Sequence, residues 1–425
     1  MGSSSASHST FNNIPILKNI LLTHPLAYAI VWSPCKPHHR ATHTEGDVSM
    51  PREHIQGKSI LILSNDVDYL YTLRLEIIET LLQEGFSVAL SAPSNPRSAF
   101  FEELGCTFHP VEFTPRGKNP FANLKVLLSY YSLVKALQPD LVLTYTIKSN
   151  IYGGLVCRKL GVPQIANMTG LGKALMDDNR MQKVIIKLLR TAFKRAKTVF
   201  LQNQRDYDYF ITKRITTADQ SVLIPGSGVN LSRHPLEPYP ENDGTVRLIY
   251  IARIIKDKGI EEMMGAAKKV HEQYPFFSCD IVGTIGEPVY GPLLEEYEQS
   301  GAGRYLGFQK DIHALITRSH AVVLPSFHLE GIANVLLEGA STGRPVLSTN
   351  HIGCRDTFDD GVSGIMFEPR SESALIEAIE AFIALPYEKK EAMGLAGRKK
   401  VEREFDRSLI VEAYMNAVYA ALESV

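Results

Sequence analysis

From Lys58 onward, short apolar runs alternate with longer stretches of helical spacing. One series comprises SILILS (59–64), FSVALSA (86–92), LVLTYT (141–146), PQIANM (163–168) and TVFLQN (198–203). A second comprises VRLIYIA (246–252), FSCDIVG (277–283), AVVLPS (321–326) and PVLST (345–349). Apolar runs without strict alternation, each followed by a helix-length segment, predict parallel strands buried on both faces. Between the series lies HPLEPYPENDG (234–244), with three prolines and a closing glycine, which predicts a linker. The expected architecture is α/β, with two Rossmann-like, doubly wound domains facing a cleft. The first is expected over 58–234, the linker over 235–244 and the second over 245–405; the segment 406–425, DRSLIVEAYMNAVYAALESV, reads as a helix returning to the first domain.

Residues 1–57 lack this rhythm. A Ser-rich start and a polar run with Pro, His and Gly at 36–50 predict a disordered or loosely attached extension. Its apolar stretch, Ile14 to Trp32, is interrupted by Lys18, His24 and Pro25, so it makes a poor spanning helix; a membrane-surface anchor is the alternative.

Composition narrows the class. With 44% hydrophobic and 21% charged residues over 425, the chain is neither disordered nor fibrous, and its length calls for more than one domain. Five scattered cysteines without a Cys-x-x-Cys pair make neither a disulfide framework nor a zinc site, and the 13 histidines show no metal spacing. A formal net charge of −1 argues against a nucleic-acid partner. That average hides a polarity: residues 58–235 carry 22 Lys/Arg against 14 Asp/Glu, and residues 236–425 carry 19 against 29. The basic excess concentrates between Arg180 and Arg205, which holds eight Lys/Arg and no acid. There Val184, Ile185, Leu188, Leu189 and Phe193 recur at helical spacing beside Lys183, Lys187, Arg190 and Lys194. Such a helix either lies on an anionic membrane surface or packs its apolar face on its own sheet, and one helix can do both.

The candidate chemistry lies in the second half. In PSFHLEGIANVLLEGASTGRPVLST (325–349), Glu330 and Glu338 are eight residues apart. On helical geometry that is about 12 Å along the axis and about 80° around it, a span suited to one extended ligand held by a carboxylate at each end. A helix opening near Ile332 would offer the amides of Gly331, Ile332, Ala333 and Asn334 to a phosphate, with Gly331 permitting close backbone approach. The bland alternative is a capping glutamate and a solvent-facing one. Arg253 and Lys258 follow a strand of the same half, ahead of a helix starting near Gly259. Two cations at a strand's C-terminal end suit an anion in the cleft, Arg as a planar fork and Lys as a mobile point charge; otherwise they are solvated bases.

IARIIKDKGI, EGIANVLLEGA with its Glu-x7-Glu pattern, and GRPVLSTNHIGCRD resemble the family 4 retaining glycosyltransferases of the GT-B fold. LTYTIKSNIYGGLVCRKLGVPQIANMTGLG (143–172) and IPGSGVNLSRH (224–234) are similar to the branch that adds sugars to polyprenyl-diphosphate-linked saccharides in bacterial surface-polysaccharide and protein-glycosylation pathways. The resemblance spans 58–425. It implies a UDP-sugar donor, a hexose or N-acetylhexosamine moved with retention to a polyprenyl-diphosphate-linked saccharide, and no metal or other cofactor. It also implies a peripheral place on the cytoplasmic face of the membrane. Arg253 and Lys258 would hold the diphosphate and stabilise it as it leaves, Glu330 would face the donor sugar, and the amides of 331–334 would serve sugar and phosphate. Glu338 would bind the ribose hydroxyls with Val335 packed nearby, and Asp311 of LGFQKDI (306–312) would lie near the base.

The stretch SNDVDYLYTLRLE (64–76) has no glycine, a form common in this branch, where an arginine matches Arg74. Thr146, Lys148 and Asn150 stand where many relatives place a histidine, which makes Lys148 and Asn150 candidates for an acceptor or donor phosphate; a solvated loop lysine is the alternative for Lys148. Transfer to a soluble acceptor and a non-catalytic nucleotide-sugar-binding protein are the competing readings. An epimerase is weakened by the lack of an evident acid/base pair, and an oxidoreductase by the lack of G-x-G-x-x-G after a strand.

Overall fold

The apolar runs become the strands of two parallel sheets. The computed structural model describes residues 57–113, 120–176, 179–329 and 331–423. The extension expected over 1–57 lies, Gly57 apart, outside the described residues. The first sheet comprises β1 (Ser59–Leu63), β2 (Ser87–Ala92), β3 (Thr107–Pro110), β4 (Leu141–Tyr145), β5 (Gln164–Met168), β6 (Ala196–Leu201) and β7 (Ser221–Leu223), in the order β3-β2-β1-β4-β5-β6-β7. The second comprises β8 (Val246–Ile251), β9 (Phe277–Val282), β10 (Ala321–Leu324), β11 (Val346–Thr349) and β12 (Gly364–Phe367), in the order β12-β11-β10-β8-β9. Strand order reverses between β1 and β4 and again between β8 and β10; in doubly wound sheets ligands bind beyond the strand ends at such a reversal.

Both faces of each sheet are covered, which is why the strands show no polar alternation. In β1, Ile60 and Ile62 pack with Ile410, Tyr414 and Val418 of the helix Arg407–Glu423, while Leu61 and Leu63 pack with Tyr130, Val134 and Val156 on the other face. Successive strand residues point to opposite faces, so a strand buried on both sides is apolar throughout. The C-terminal helix therefore does return to the first sheet.

The chain crosses between the halves twice, and the crossings are hydrogen-bonded together. Val229 N–H donates to Phe405 O at 2.8 Å, and Arg407 N–H donates to Val229 O at 3.0 Å. Gly228 has φ +64°, and a Cβ there would stand 2.9 Å from Arg407 Cα. The buried Arg407 side chain donates to Gly228 O, to Thr72 O and, at 2.7 Å, to Glu76 Oε2; Asn230 Nδ2 donates to Glu76 Oε1 at 2.7 Å. Burial raises the Glu76 carboxyl, but Arg407 and Asn230 outweigh it and hold it below the ordinary range. The proline-rich linker is strapped down as well. Arg344, fully buried, donates to Glu237 O at 3.1 Å and to Pro238 O and Thr317 O, both at 2.7 Å. No described helix is long and apolar enough to cross a membrane.

Candidate active site

At the reversal between β8 and β10, two loops are built against each other. Past β8 the chain runs through Arg253, makes one 3-10 turn (Lys256–Lys258) and enters the helix Ile260–Gln273 through Gly259. Gly259 has φ +74°, and a Cβ there would lie 2.1 Å from Pro325 O, so the loop after β10 sits directly on this turn. Phe327 N–H donates to Asp257 O at 2.9 Å, and the Ser326 hydroxyl reaches the same oxygen at 3.5 Å. The segment bearing Lys258 and the segment leading to Glu330 therefore form one unit. Lys258 is half-buried, with its carbonyl accepting from Tyr250 Oη at 3.2 Å, and Arg253 is exposed. His328 Nδ1 stands 3.6 Å from Asp257 Oδ2, a neighbour that sequence spacing did not single out.

Glu330 itself lies outside the described residues. The helix expected near Ile332 opens at Asn334 and runs to Ser341, so helical geometry does not extend from Glu330 to Glu338. Two of the amides expected to face a ligand are already used: Gly331 N–H donates to Thr169 O at 3.1 Å and Ala333 N–H to Gly353 O at 2.8 Å. These bonds pull 331–333 off the helical path. Gly331 is also not a gap for a ligand, since a Cβ there would meet Gln202 Oε1 at 2.2 Å. Ile332 is buried and packs on Gly226. The first turn at Asn334 and Val335, both half-buried, is left open to an anion; Ala333 provides no side-chain cap, and Asn334 Oδ1 is buried without a hydrogen-bond partner. Unpaired N–H groups at a helix start carry partial positive charge. One turn on, Glu338 is half-buried, and desolvation pushes its carboxyl up to about 7 against the pull of Arg407. Asp311 is exposed and accepts from Ala314 N–H at 3.2 Å, in the first turn of the short helix His313–Thr317.

Two candidates from the first half sit in its core instead of on the cleft wall. Arg74 has 0% exposure; its guanidinium lies 5.1 Å from the ring centre of Tyr145, 5.2 Å from Tyr69 and 5.8 Å from Tyr414, and donates to Leu73 O at 2.8 Å. Three aromatic faces thus hold it where a carboxylate would otherwise be needed. Asn150 is likewise fully buried, donating to Asn167 O at 2.8 Å and accepting from the Thr144 hydroxyl at 2.7 Å, a brace between β4 and β5. Lys148 stays half-exposed, with Nζ 3.3 Å from Asn123 Oδ1 and 5.6 Å from the Phe113 ring centre, and burial lowers its pKa. The basic helix forms over Arg180–Ala192 with Lys183 and Lys187 exposed, as is Lys194 just beyond it. Arg190, although exposed, is tied to Lys213 O at 3.0 Å. Ile186 and Leu189 are buried on the sheet side, while Met181 and Val184 are exposed.

Known proteins bear on this arrangement. Residues 59–203 match the family described as glycosyl transferase 4-like, and residues 236–400 that described as glycosyl transferases group 1. The N,N'-diacetylbacillosaminyl-diphospho-undecaprenol alpha-1,3-N-acetylgalactosaminyltransferase of Campylobacter jejuni is 24% identical over 373 residues, covering 84% of this chain and 97% of that protein. A putative colanic acid biosynthesis glycosyltransferase of Escherichia coli, WcaL, is 26% identical over 200 residues, 45% of this chain and 49% of its own. Among solved structures, Anabaena Alr3699/HepE in complex with UDP and glucose matches with a TM-score of 0.68 at 16% identity, covering 85% of this chain and 99% of that one. Sucrose-phosphate synthase from Thermosynechococcus elongatus matches at 0.69 and 18%, covering 86% and 99%. At these identities the structural likeness speaks for the fold.

Proposed function

We propose that this chain, whose two halves match glycosyl transferase family models and whose fold is that of GT-B enzymes, moves a hexose or N-acetylhexosamine from a UDP-sugar to a polyprenyl-diphosphate-linked saccharide, with retention at the anomeric carbon. The observation that carries this reading is the joined pair of loops at the β8/β10 reversal: the turn that follows Arg253 and ends at Lys258 is bonded to the loop after β10, and that loop runs on to the uncapped helix start at Asn334. The name of the Campylobacter relative specifies an undecaprenol-diphosphate acceptor, and the Anabaena structures hold UDP and UDP-glucose; both support the choice of substrates.

In this mechanism the bond from the anomeric carbon to the diphosphate breaks, and its electron pair leaves with the diphosphate. Arg253, Lys258 and the N–H groups at Asn334 and Val335 meet the charge that develops there. The acceptor oxygen bonds to the same face, and its proton passes to the departing phosphate oxygen. Glu338 accepts hydrogen bonds from the ribose hydroxyls, and Glu330 is the proposed partner of the sugar hydroxyls. UDP-N-acetylhexosamines are expected to be turned over fastest in a panel of nucleotide sugars scored by nucleotide release; a clear preference for GDP-mannose would overturn the donor assignment.

The acceptor side is proposed to rest on anionic membrane. Lys183, Lys187 and Lys194 stand exposed with Met181 and Val184, and the helix Pro120–Leu137 presents Phe121, Leu124 and Leu128 at 81%, 50% and 56% exposure. Basic residues beside exposed apolar ones suit a surface that offers both anionic headgroups and acyl chains. Sedimentation with anionic vesicles is expected for the wild type and lost in the triple variant Lys183→Glu, Lys187→Glu, Lys194→Glu; binding unchanged by the reversal would remove this helix from the membrane contact.

A further inference from the structure

The loop that leads from Glu330 into the helix at Asn334 is not held by its own half alone. Both polar groups of Gly331 are engaged by the other half: its N–H donates to Thr169 O at 3.1 Å, and its carbonyl accepts from Asn203 Nδ2 at 3.3 Å. Gln202 covers the α-carbon so closely that a Cβ on Gly331 would meet its Oε1 at 2.2 Å and its Cβ at 2.9 Å. The next residue, Ile332, packs on Gly226, where φ is +71° and a Cβ would come within 2.7 Å of it. Loops following β5, β6 and β7 thus converge on the two residues after Glu330.

Asn203 is the informative member. It is 6% exposed and caps the helix Gln204–Thr212, its Oδ1 accepting from Asp206 N–H at 2.9 Å. That bond settles the orientation of the amide: the oxygen is committed to the cap, and the NH2 points to Gly331. Capping needs only the oxygen, and aspartate caps as well as asparagine. The donor is surplus to the helix and is spent on the loop.

We infer that Asn203 is a positioning residue for sugar transfer: through its side-chain N–H it sets the Gly331 peptide, and with it the loop that runs on to the helix start at Asn334, at one end of the donor pocket. The inference rests on the donor reading above. It makes that end of the pocket depend on the first half of the chain, so the site is complete only while the two halves touch. A loop held within a fraction of an ångström is what distinguishes a bound donor from a reacting one.

Asn203→Asp separates the two tasks, since it keeps the capping oxygen and replaces the donor with a second oxygen facing the Gly331 carbonyl. Its thermal unfolding is expected to match the wild type within about 2 °C, because the cap survives. Amide exchange in the 326–336 segment is expected to be about tenfold faster, the scale of one lost hydrogen bond. In parallel, kcat for UDP release from UDP-N-acetylgalactosamine should fall about tenfold with little change in KM. Gly331→Ala should give the same pattern from the other side, and Gln202→Gly added to it should restore part of the rate; this pair decides the matter if Asn203→Asp does not fold. Exchange and kcat both equal to wild type would overturn the inference, and so would faster exchange with unchanged kcat, which would leave a purely structural contact. A wild type inert toward every UDP-sugar would instead overturn the donor reading, while the exchange result would still judge the hold of Asn203 on the loop.

Discussion

Replacing Lys258 with alanine is expected to lower kcat about 100- to 1,000-fold, with the affinity for UDP-sugar changed far less. Charge on the diphosphate grows as the anomeric bond breaks, so a fixed cation contributes most at the transition state, and loss of one such group typically costs about this factor. Arg253→Ala should behave alike, and the double variant should fall short of the product of the two effects because both act on one leaving group. The neighbouring Lys256 provides the control: its Nζ pairs with Glu261 Oε2 at 3.2 Å, and Lys256→Ala should stay within about threefold of wild type. Single-turnover rates for the four variants and the wild type check this. A Lys258→Ala enzyme as fast as Lys256→Ala would move the leaving-group charge elsewhere.

The second large effect concerns Glu338, where function and stability pull apart. Burial pushes its carboxyl up to about 7 from an ordinary 4.5, so the folded state holds this proton more tightly than the unfolded one. Its contribution to stability is therefore fully present below about pH 4.5 and is lost as pH rises to about 7. Above that the ionised group costs about 3 kcal/mol. Glu338→Gln keeps the shape without the charge and should be more stable than wild type by roughly that amount at pH 8 and equal to it near pH 4.5, by denaturant unfolding. If the carboxylate form binds ribose, wild-type affinity for UDP-sugar should be about tenfold weaker at pH 6 than at pH 8, and the Gln variant should be weak and flat with pH. Unchanged stability at pH 8, or a pH-independent wild type, would show that Glu338 is not the buried acid described.

Most of the fold could be read from the strands because they are buried on both faces, as in β1 and β10, and the apolar runs are then continuous. The strands that escaped notice are short ones with mixed chemistry: TFHP of β3, SVL of β7 and GIMF of β12. The site divides the same way. Arg253, Lys258 and the segment after Glu330 stood out because each is local in sequence and its spacing has a chemical meaning; the structure joins the Lys258 turn to the loop after β10 but starts the helix only at Asn334. Arg74 was not, because what decides its role is an aromatic cage drawn from Tyr69, Tyr145 and Tyr414, far apart along the chain. Gly331 misled for a related reason: a glycine announces close approach without naming the visitor, and here it is Gln202. The one local signal for Asn203 was its position three residues before Asp206 at the start of a helix, which reveals a cap and says nothing of its second bond.

The paired crossings at Val229 and Arg407 have a mechanical consequence. Two bodies tied at a single point swivel in every direction, whereas two adjacent ties zipped by backbone bonds leave mainly rotation about one line. A cleft that opened about this joint would follow a nearly fixed arc, and the Gly331 peptide would return to the same seat. A cut between Phe405 and Arg407 would leave the Val229 crossing as the one covalent link of the joint, turning a door into a tether.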